Sequence, residues 1–314
     1  MHIVLPGALP DVDAARALVP HLIEAAPVFV SWLSSGRAQL QTVDPSTTGC
    51  TTYEQWQLQR AGYQPDAEQN LAAGLGPLWV ANKHIAPDQP VWLAELVHLA
   101  PTQSTTAMLT SDDLLITPEQ SVALFESAQE LFDGTPFSLH PDTDRRWRIQ
   151  PPPDSRFLCA SPTLVASTSV NDWWLKPESA RPWRRLFNEL QMLWFSHPVN
   201  LSRQAQGLPA INGVWLFGGG RAEQFRSPSP PSEIRVHETL NASFMAQDWG
   251  AWLKALGELD AEVFQPLAQQ GVKPVLVLTG RTETATLEPR ALARWTQWLP
   301  RSRNTWSKWW SYRR

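Results

Sequence analysis

The chain has 314 residues, 43% of them hydrophobic, with a formal charge of −4, 17 tryptophans and two cysteines. That length and apolar content suffice for a full core, as one large domain or two smaller ones. Cys50 and Cys159 are too few for a disulfide framework, and no Cys/His spacing suggests structural zinc. No apolar run reaches bilayer-spanning length and none reads as a signal peptide, so no transmembrane segment and a cytoplasmic location are expected.

Residues 2–5 read as a short buried strand that ends at Pro6. An amphipathic helix follows over 12–33, with Leu18, Leu22, Val30 and Leu33 among its apolar positions. The polar stretch 44–52 suits an active-site loop, and a helix over 53–61 leads out of it. From about 85 to 165 the texture changes. Strands at 91–99 and 106–109, a helix at 118–132 and a hairpin of 137–140 with 146–149 make a compact α+β module. Pro151-Pro152-Pro153 closes the hairpin, because proline cannot continue a ladder.

A long helix over 178–195 is followed by a short one over 198–206 that ends at Gly207. Strand 214–217 runs into Gly218-Gly219-Gly220, which lacks the Lys-Ser/Thr and spacing of a phosphate loop and reads as a tight turn. Helix 250–270 and strand 275–278 form an α/β unit, and a helix over 289–298 ends at Pro300.

Four segments, in order, carry a resemblance. They are Gly62-Tyr63-Gln64-Pro65 with Gly74-Leu75-Gly76-Pro77-Leu78; the module at 91–149; His197-Pro198-Val199-Asn200 with Arg203, Gly207-Leu208-Pro209-Ala210 and Asn212; and Lys273-Pro274 through Thr279. Together they resemble the archaeal type of cofactor-independent phosphoglycerate mutase, in the alkaline phosphatase superfamily. Asn171-Asp172-Trp173-Trp174-Leu175 and the stretch from Asn188 to Leu193 are similar to the RpfE-type regulatory proteins of that group.

The resemblance implies an α/β fold: an alkaline-phosphatase-like three-layer core over 1–84 and 166–300, with a small inserted α+β module at 85–165. The residues 301–314 are left as a basic, Trp-rich tail. In the family, Asp and His ligands hold two metal ions that clamp the reacting phosphoryl group and activate a nucleophile. This chain departs from that pattern. Pro6 stands where the family's first strand ends in a ligand Asp, and Thr279-Gly280-Arg281 stands in place of Ala-Asp-His. Gly49-Cys50-Thr51 replaces Gly-Ser-Asp, and His237-Glu238 is all that remains of a further His/Asp motif.

The reading is therefore of a catalytically inactive relative with no metal and no cofactor, regulatory or scaffolding in role and acting through a protein partner. A mutase or phosphohydrolase with a remodelled site is the alternative; it would use Cys50, Thr51, Arg281 and His237, which should then converge on one pocket. His197, Asn200, Arg203, Asn212 and Arg281 are candidates for binding a phosphorylated ligand. The competing reading of the first four is hydrogen bonding that fixes a helix–loop–strand joint, with Asn200 as a helix cap.

From Arg290 onward there are seven basic residues, no acid and five tryptophans. Arg303, Trp306, Lys308, Trp309, Trp310 and Arg313 are candidates for docking a protein partner or stacking on nucleic acid. The competing reading packs the tryptophans back on the acidic body.

Overall fold

The computed structural model describes every residue except 83, 104, 154, 156, 177, 227–232, 290–304 and 312–314. The chain divides into two compact units, Met1–Asp44 with Pro230–Arg314, and Pro45–Ser229. Each unit has its own sheet and its own buried core. The first unit begins with β1 (His2–Pro6), α1 (Val12–Ala25), α2 (Pro27–Ser35) and β2 (Gly36–Thr42). The second opens with α3 (Pro45–Thr48), α4 (Thr52–Ala61), α5 (Leu75–Trp79), β3 (Val91–Pro101), β4 (Thr106–Leu109) and α6 (Pro118–Phe132). It continues with β5 (Ser138–Pro141), β6 (Arg146–Gln150), α7 (Pro162–Ser167), α8 (Val170–Trp173), α9 (Arg181–Phe195), α10 (Pro198–Ala205) and β7 (Gly213–Gly220). The chain then returns to the first unit as β8 (Ile234–Val236), α11 (Asn241–Met245), α12 (Trp249–Leu259) and α13 (Gln265–Gln269). It ends with β9 (Val275–Thr279), β10 (Glu283–Pro289) and α14 (Thr305–Ser311).

The first unit is an α/β sheet in the order β2-β10-β9-β1-β8. β8, β1 and β9 are parallel, and β10 runs antiparallel between β9 and β2. The unbroken apolar runs Ile3-Val4-Leu5 and Leu276-Val277-Leu278 are almost completely buried, as expected of parallel strands covered on both faces. Leu18 and Leu22 of α1, Phe29 and Leu33 of α2 and Trp252 of α12 belong to the core around them.

The expected helix over 12–33 is two helices bent by 115° at Ala26. Pro27 occupies the first turn of α2, where its missing N–H costs nothing. The buried Asp260 carboxylate accepts hydrogen bonds from Phe29 N–H (2.7 Å) and Val28 N–H (3.3 Å). It thus satisfies donors that the start of α2 leaves open and places negative charge at the positive end of the helix dipole. Asp260 opens a π-helical turn, Asp260–Phe264, that interrupts the helix expected over 250–270. No single described helix is long and apolar enough to cross a membrane; α1 and α2 pass that test only as a bent pair.

In the second unit β3 pairs antiparallel with β4, β6 and β7, and β5 with β6 forms the expected hairpin. Thr117 and Gln120 cap α6 reciprocally, which fixes its start where the sequence places it. The unit is wider than the 85–165 module expected. It takes in 45–84 as well as α9 and β7, because β7 pairs along β3 from Val91↔Gly220 to Val97↔Gly213.

Gly218-Gly219-Gly220 is not a turn. These glycines continue the fully buried β7 through a register shift opposite Val91/Trp92, with Gly218 and Gly219 at φ +96° and +97°. A side chain at 219 would lie 2.3 Å from the Trp92 ring. Two further expectations change. β2 had no counterpart in the sequence reading, and the helix placed at 289–298 begins on Pro289 of strand β10, its other residues lying outside those described.

Candidate functional site

In open α/β sheets, ligands bind at the carboxyl ends of parallel strands. In the first unit that edge is formed where β1, β9 and β8 end, and it carries Pro6, Thr279-Gly280-Arg281 and His237. Pro6 pairs in register with Thr279. Pro6 and Gly7 are the central residues of a turn closed by Ala8 N–H to Leu5 C=O (3.2 Å), with Gly7 at φ +78°. That is a type II pattern: proline presets the first central position and glycine supplies the positive φ of the second. Trp252 Nε1 donates to the Gly7 carbonyl (2.9 Å), so the turn is tied to α12.

Gly280 is equally constrained. A Cβ there would lie 2.3 Å from the Leu9 carbonyl oxygen, so the backbone approach that closes this edge leaves no room for a side chain. Arg281 does not reach free toward a ligand. Its Nε lies 3.5 Å from an Asp11 carboxylate oxygen and its guanidinium lies 5.5 Å from the Phe244 ring centroid. His237 follows β8 and donates its backbone N–H to Val4 C=O (3.0 Å). Burial, aided by Arg235, lowers its imidazole pKa, and Nε2 is buried with no hydrogen-bond partner among the described residues.

These residues do not fit a two-metal centre. Pro6 offers no ligand atom, Gly280 cannot be given one without displacing Leu9, and among the described residues no three His, Cys, Asp or Glu side chains group to hold a metal ion.

Cys50 and Thr51 belong to the second unit, whereas Arg281 and His237 belong to the first. Cys50 is fully buried, and burial, reinforced by Glu54 and Cys159, raises its thiol pKa well above the ordinary value. The thiolate is the reactive form, so the burial of this thiol works against Cys50 as a nucleophile. Thr51 caps α4: its Oγ1 accepts Glu54 N–H (3.2 Å), and the Glu54 carboxylate accepts Thr51 N–H (2.7 Å).

The same carboxylate accepts the Ser161 hydroxyl (2.6 Å), while Ser161 N–H donates to Gly49 C=O (2.8 Å). Burial raises the Glu54 pKa against these hydrogen bonds. The stretch expected to be an active-site loop is therefore bolted to the start of α7. Glu54 and Ser161 were missed in the sequence. The signal was present for Glu54, as a Thr-x-x-Glu capping box at 51–54.

The structure does bring His197, Asn200, Arg203 and Asn212 to one neighbourhood, and it uses each one internally. His197, rather than Asn200, caps α10, its Nδ1 accepting Val199 N–H (3.3 Å). Asn200 bonds Trp194 C=O, Ile211 C=O and Ile211 N–H at 2.8–2.9 Å. Asn212 pairs with both backbone groups of Leu99 in β3 (2.7 and 2.8 Å). Arg203, with no exposed surface, donates to Pro209 C=O (2.8 Å), Gln120 Oε1 (2.8 Å) and Leu114 C=O (2.6 Å). A guanidinium committed to three acceptors inside the protein has little left to offer a phosphate.

A cleft of about 610 Å³ opens beside Gly218 and Gly219, with Trp92 and Phe157 in its wall. Its Arg221 is paired with Asp66 and Glu223, each at 2.8 Å, and the Gln69 amide beside it donates to Gly219 C=O (3.0 Å).

In the tail, Trp306 and Trp310 are buried in the core of the first unit. The Trp310 ring lies 6.5 Å from Trp252 and 6.0 Å from Trp306. They present no face to a partner or a nucleobase, which corrects their reading as docking residues. Trp309 is half-buried and Lys308 exposed, while Arg303 and Arg313 lie outside the described residues.

No protein-family model matches the chain. In sequence it is 26% identical over 179 residues to a Geobacter sulfurreducens protein described as a "Probable 2,3-bisphosphoglycerate-independent phosphoglycerate mutase". The match covers 53% of this chain and 42% of that protein, so the chain spans less than half the length of this curated relative. Among solved structures it is similar to a cofactor-independent phosphoglycerate mutase from Thermoplasma acidophilum, with 13% identity, TM-score 0.36 and coverage of 93% of this chain and 90% of that one. It is also similar to the PH0037 protein from Pyrococcus horikoshii, with 15% identity, TM-score 0.47 and coverage of 91% and 86%. The chain is an α/β protein, similar over part of its sequence to a probable phosphoglycerate mutase.

Proposed function

We propose that this chain does not carry out two-metal phosphoryl transfer and acts as a regulatory or scaffolding protein through a protein partner. The observation that carries this reading is the closed strand edge of the first unit. A Pro6-Gly7 turn and a Gly280 packed on the Leu9 carbonyl occupy the two positions at which the family resemblance implies acidic ligands. The internal use of Arg203, Asn200 and Asn212 supports it, since the residues that most resemble the family have structural partners. The regulatory half of the reading rests on the resemblance read in segments 171–175 and 188–193 alone. A remodelled enzyme built on Cys50 is disfavoured by that thiol's burial and raised pKa.

The test is interconversion of 2- and 3-phosphoglycerate by the full chain, with and without Mn²⁺, beside affinity capture from the native host. No turnover together with a stoichiometric protein partner is the expected result. Metal-dependent turnover abolished by Arg281→Ala and His237→Ala would overturn the reading.

A further inference from the structure

β2 is one edge of the first sheet, and it differs from the other strand edges in the molecule. Its seven residues pair with β10 without interruption, from Gly36↔Pro289 to Thr42↔Glu283. Gly36 N–H closes α2 by donating to Trp32 C=O, while on the side away from β10 the backbone groups of 37–42 have no partner among the described residues. The strand is exposed except at Gly36 and half-buried Ala38. It contains no proline and no bulge, and Arg37 is its one charge.

Proteins normally blunt such edges by shortness, charge, proline or cover, because an open ladder is a template for another strand. The other edges here follow that rule. β8, at the far side of the same sheet, has three residues, one of them Arg235. In the second unit β4 and β5 have four residues each, and β5 ends in Pro141. β7 is buried along its whole length. Among the described strands, β2 alone is long, regular, nearly neutral and open along one side.

We propose that the free edge of β2 pairs with the β2 of a second copy of this chain, antiparallel about a two-fold axis that passes through Gln39. The sequence Gly36-Arg37-Ala38-Gln39-Leu40-Gln41-Thr42 is self-complementary in that register. Arg37 faces Gln41, Ala38 faces Leu40, and Gln39 faces its own copy, so no like charges meet across the axis. Leu40, 43% exposed, gains the apolar side chain of Ala38 opposite it. An isologous contact of this kind closes at two subunits, which is why an open edge need not lead to fibres. One strand pair buries less than a stable interface does, so the dimer forms and dissociates with concentration.

Sedimentation equilibrium of the full chain, from low to high micromolar concentration, tests the proposal. The weight-average mass should climb from 35.3 kDa toward twice that value. Leu40→Lys, which changes only an exposed side chain, should hold the protein at the monomer mass with an unchanged melting temperature. Gln39→Cys should form a disulfide-linked dimer under mild oxidation, whereas Asp13→Cys, also exposed but on α1, should not. A monomer at every concentration overturns the proposal. So does a dimer that is indifferent to Leu40→Lys and leaves Gln39→Cys uncrosslinked.

Discussion

The strand ends of the first unit and the polar cluster of the second differ in opposite ways from the pattern that the resemblance implies. At β1 and β9 the acidic residues implied by the resemblance are absent from the sequence, and the backbone has closed over their places through the Pro6-Gly7 turn and the Gly280–Leu9 approach. Around α10 the family-like residues His197, Asn200, Arg203 and Asn212 are all present, yet each is bonded within the protein. The difference teaches that a retained motif is not a retained site.

Restoring an acid with Gly280→Asp puts a Cβ against the Leu9 carbonyl and should cost at least about 3 kcal/mol in urea unfolding without creating metal affinity. A stable, metal-binding Gly280→Asp protein would show that the edge is merely vacant rather than closed. Arg203→Met leaves the Leu114 and Pro209 carbonyls without this donor and Gln120 Oε1 with Thr117 N–H alone, for a loss of about 3 kcal/mol. Arg203→Lys should recover little of it, because an ammonium cannot span three acceptors. If Arg203→Met melts like the wild type, the cluster is not structural and a ligand role returns.

A pH series sharpens the picture of the second unit. Glu95, buried on β3, accepts Ser111 N–H and Oγ–H at 3.1 and 3.0 Å, and burial pushes its pKa up from 4.5 to about 7. The folded state therefore prefers the protonated acid. This contribution to stability is complete below pH 4.5 and is lost as pH rises through about 7. Between those limits wild type should lose up to about 3 kcal/mol relative to Glu95→Gln, whose stability should stay flat. Parallel curves for the two proteins would contradict the assignment. The smallest effect belongs to Arg281→Ala. Its ion pair with Asp11 is partly exposed, so unfolding should shift by less than about 1 kcal/mol.

Much of the fold can be read in the residues themselves. The strand at 106–109 and the helix at 118–132 fall at the bounds expected for them. What could not be read depends on contacts distant in sequence. The break at Ala26 is held by Asp260, more than 230 residues away, and the π-helical turn that aims Asp260 leaves no mark on the apolar pattern of 250–270. β2 is too polar to announce itself as a strand, because its exposed edge removes the alternation that signals burial. The run Gly218-Gly219-Gly220 reads as a turn locally, and only its pairing with β3 makes it a strand. For the site, the identities of the missing ligands were visible at Pro6 and Gly280, but the partners of Cys50, Arg203 and Trp310 were not.

The most direct test of the central claim is calorimetric titration of chelator-treated protein with Mn²⁺ and with Zn²⁺. The closed strand edge predicts no stoichiometric binding of either ion, in wild type and in Pro6→Asp alike. Stoichiometric micromolar binding to the wild type, lost on His237→Ala, would contradict it by showing that a metal centre survives at the strand ends.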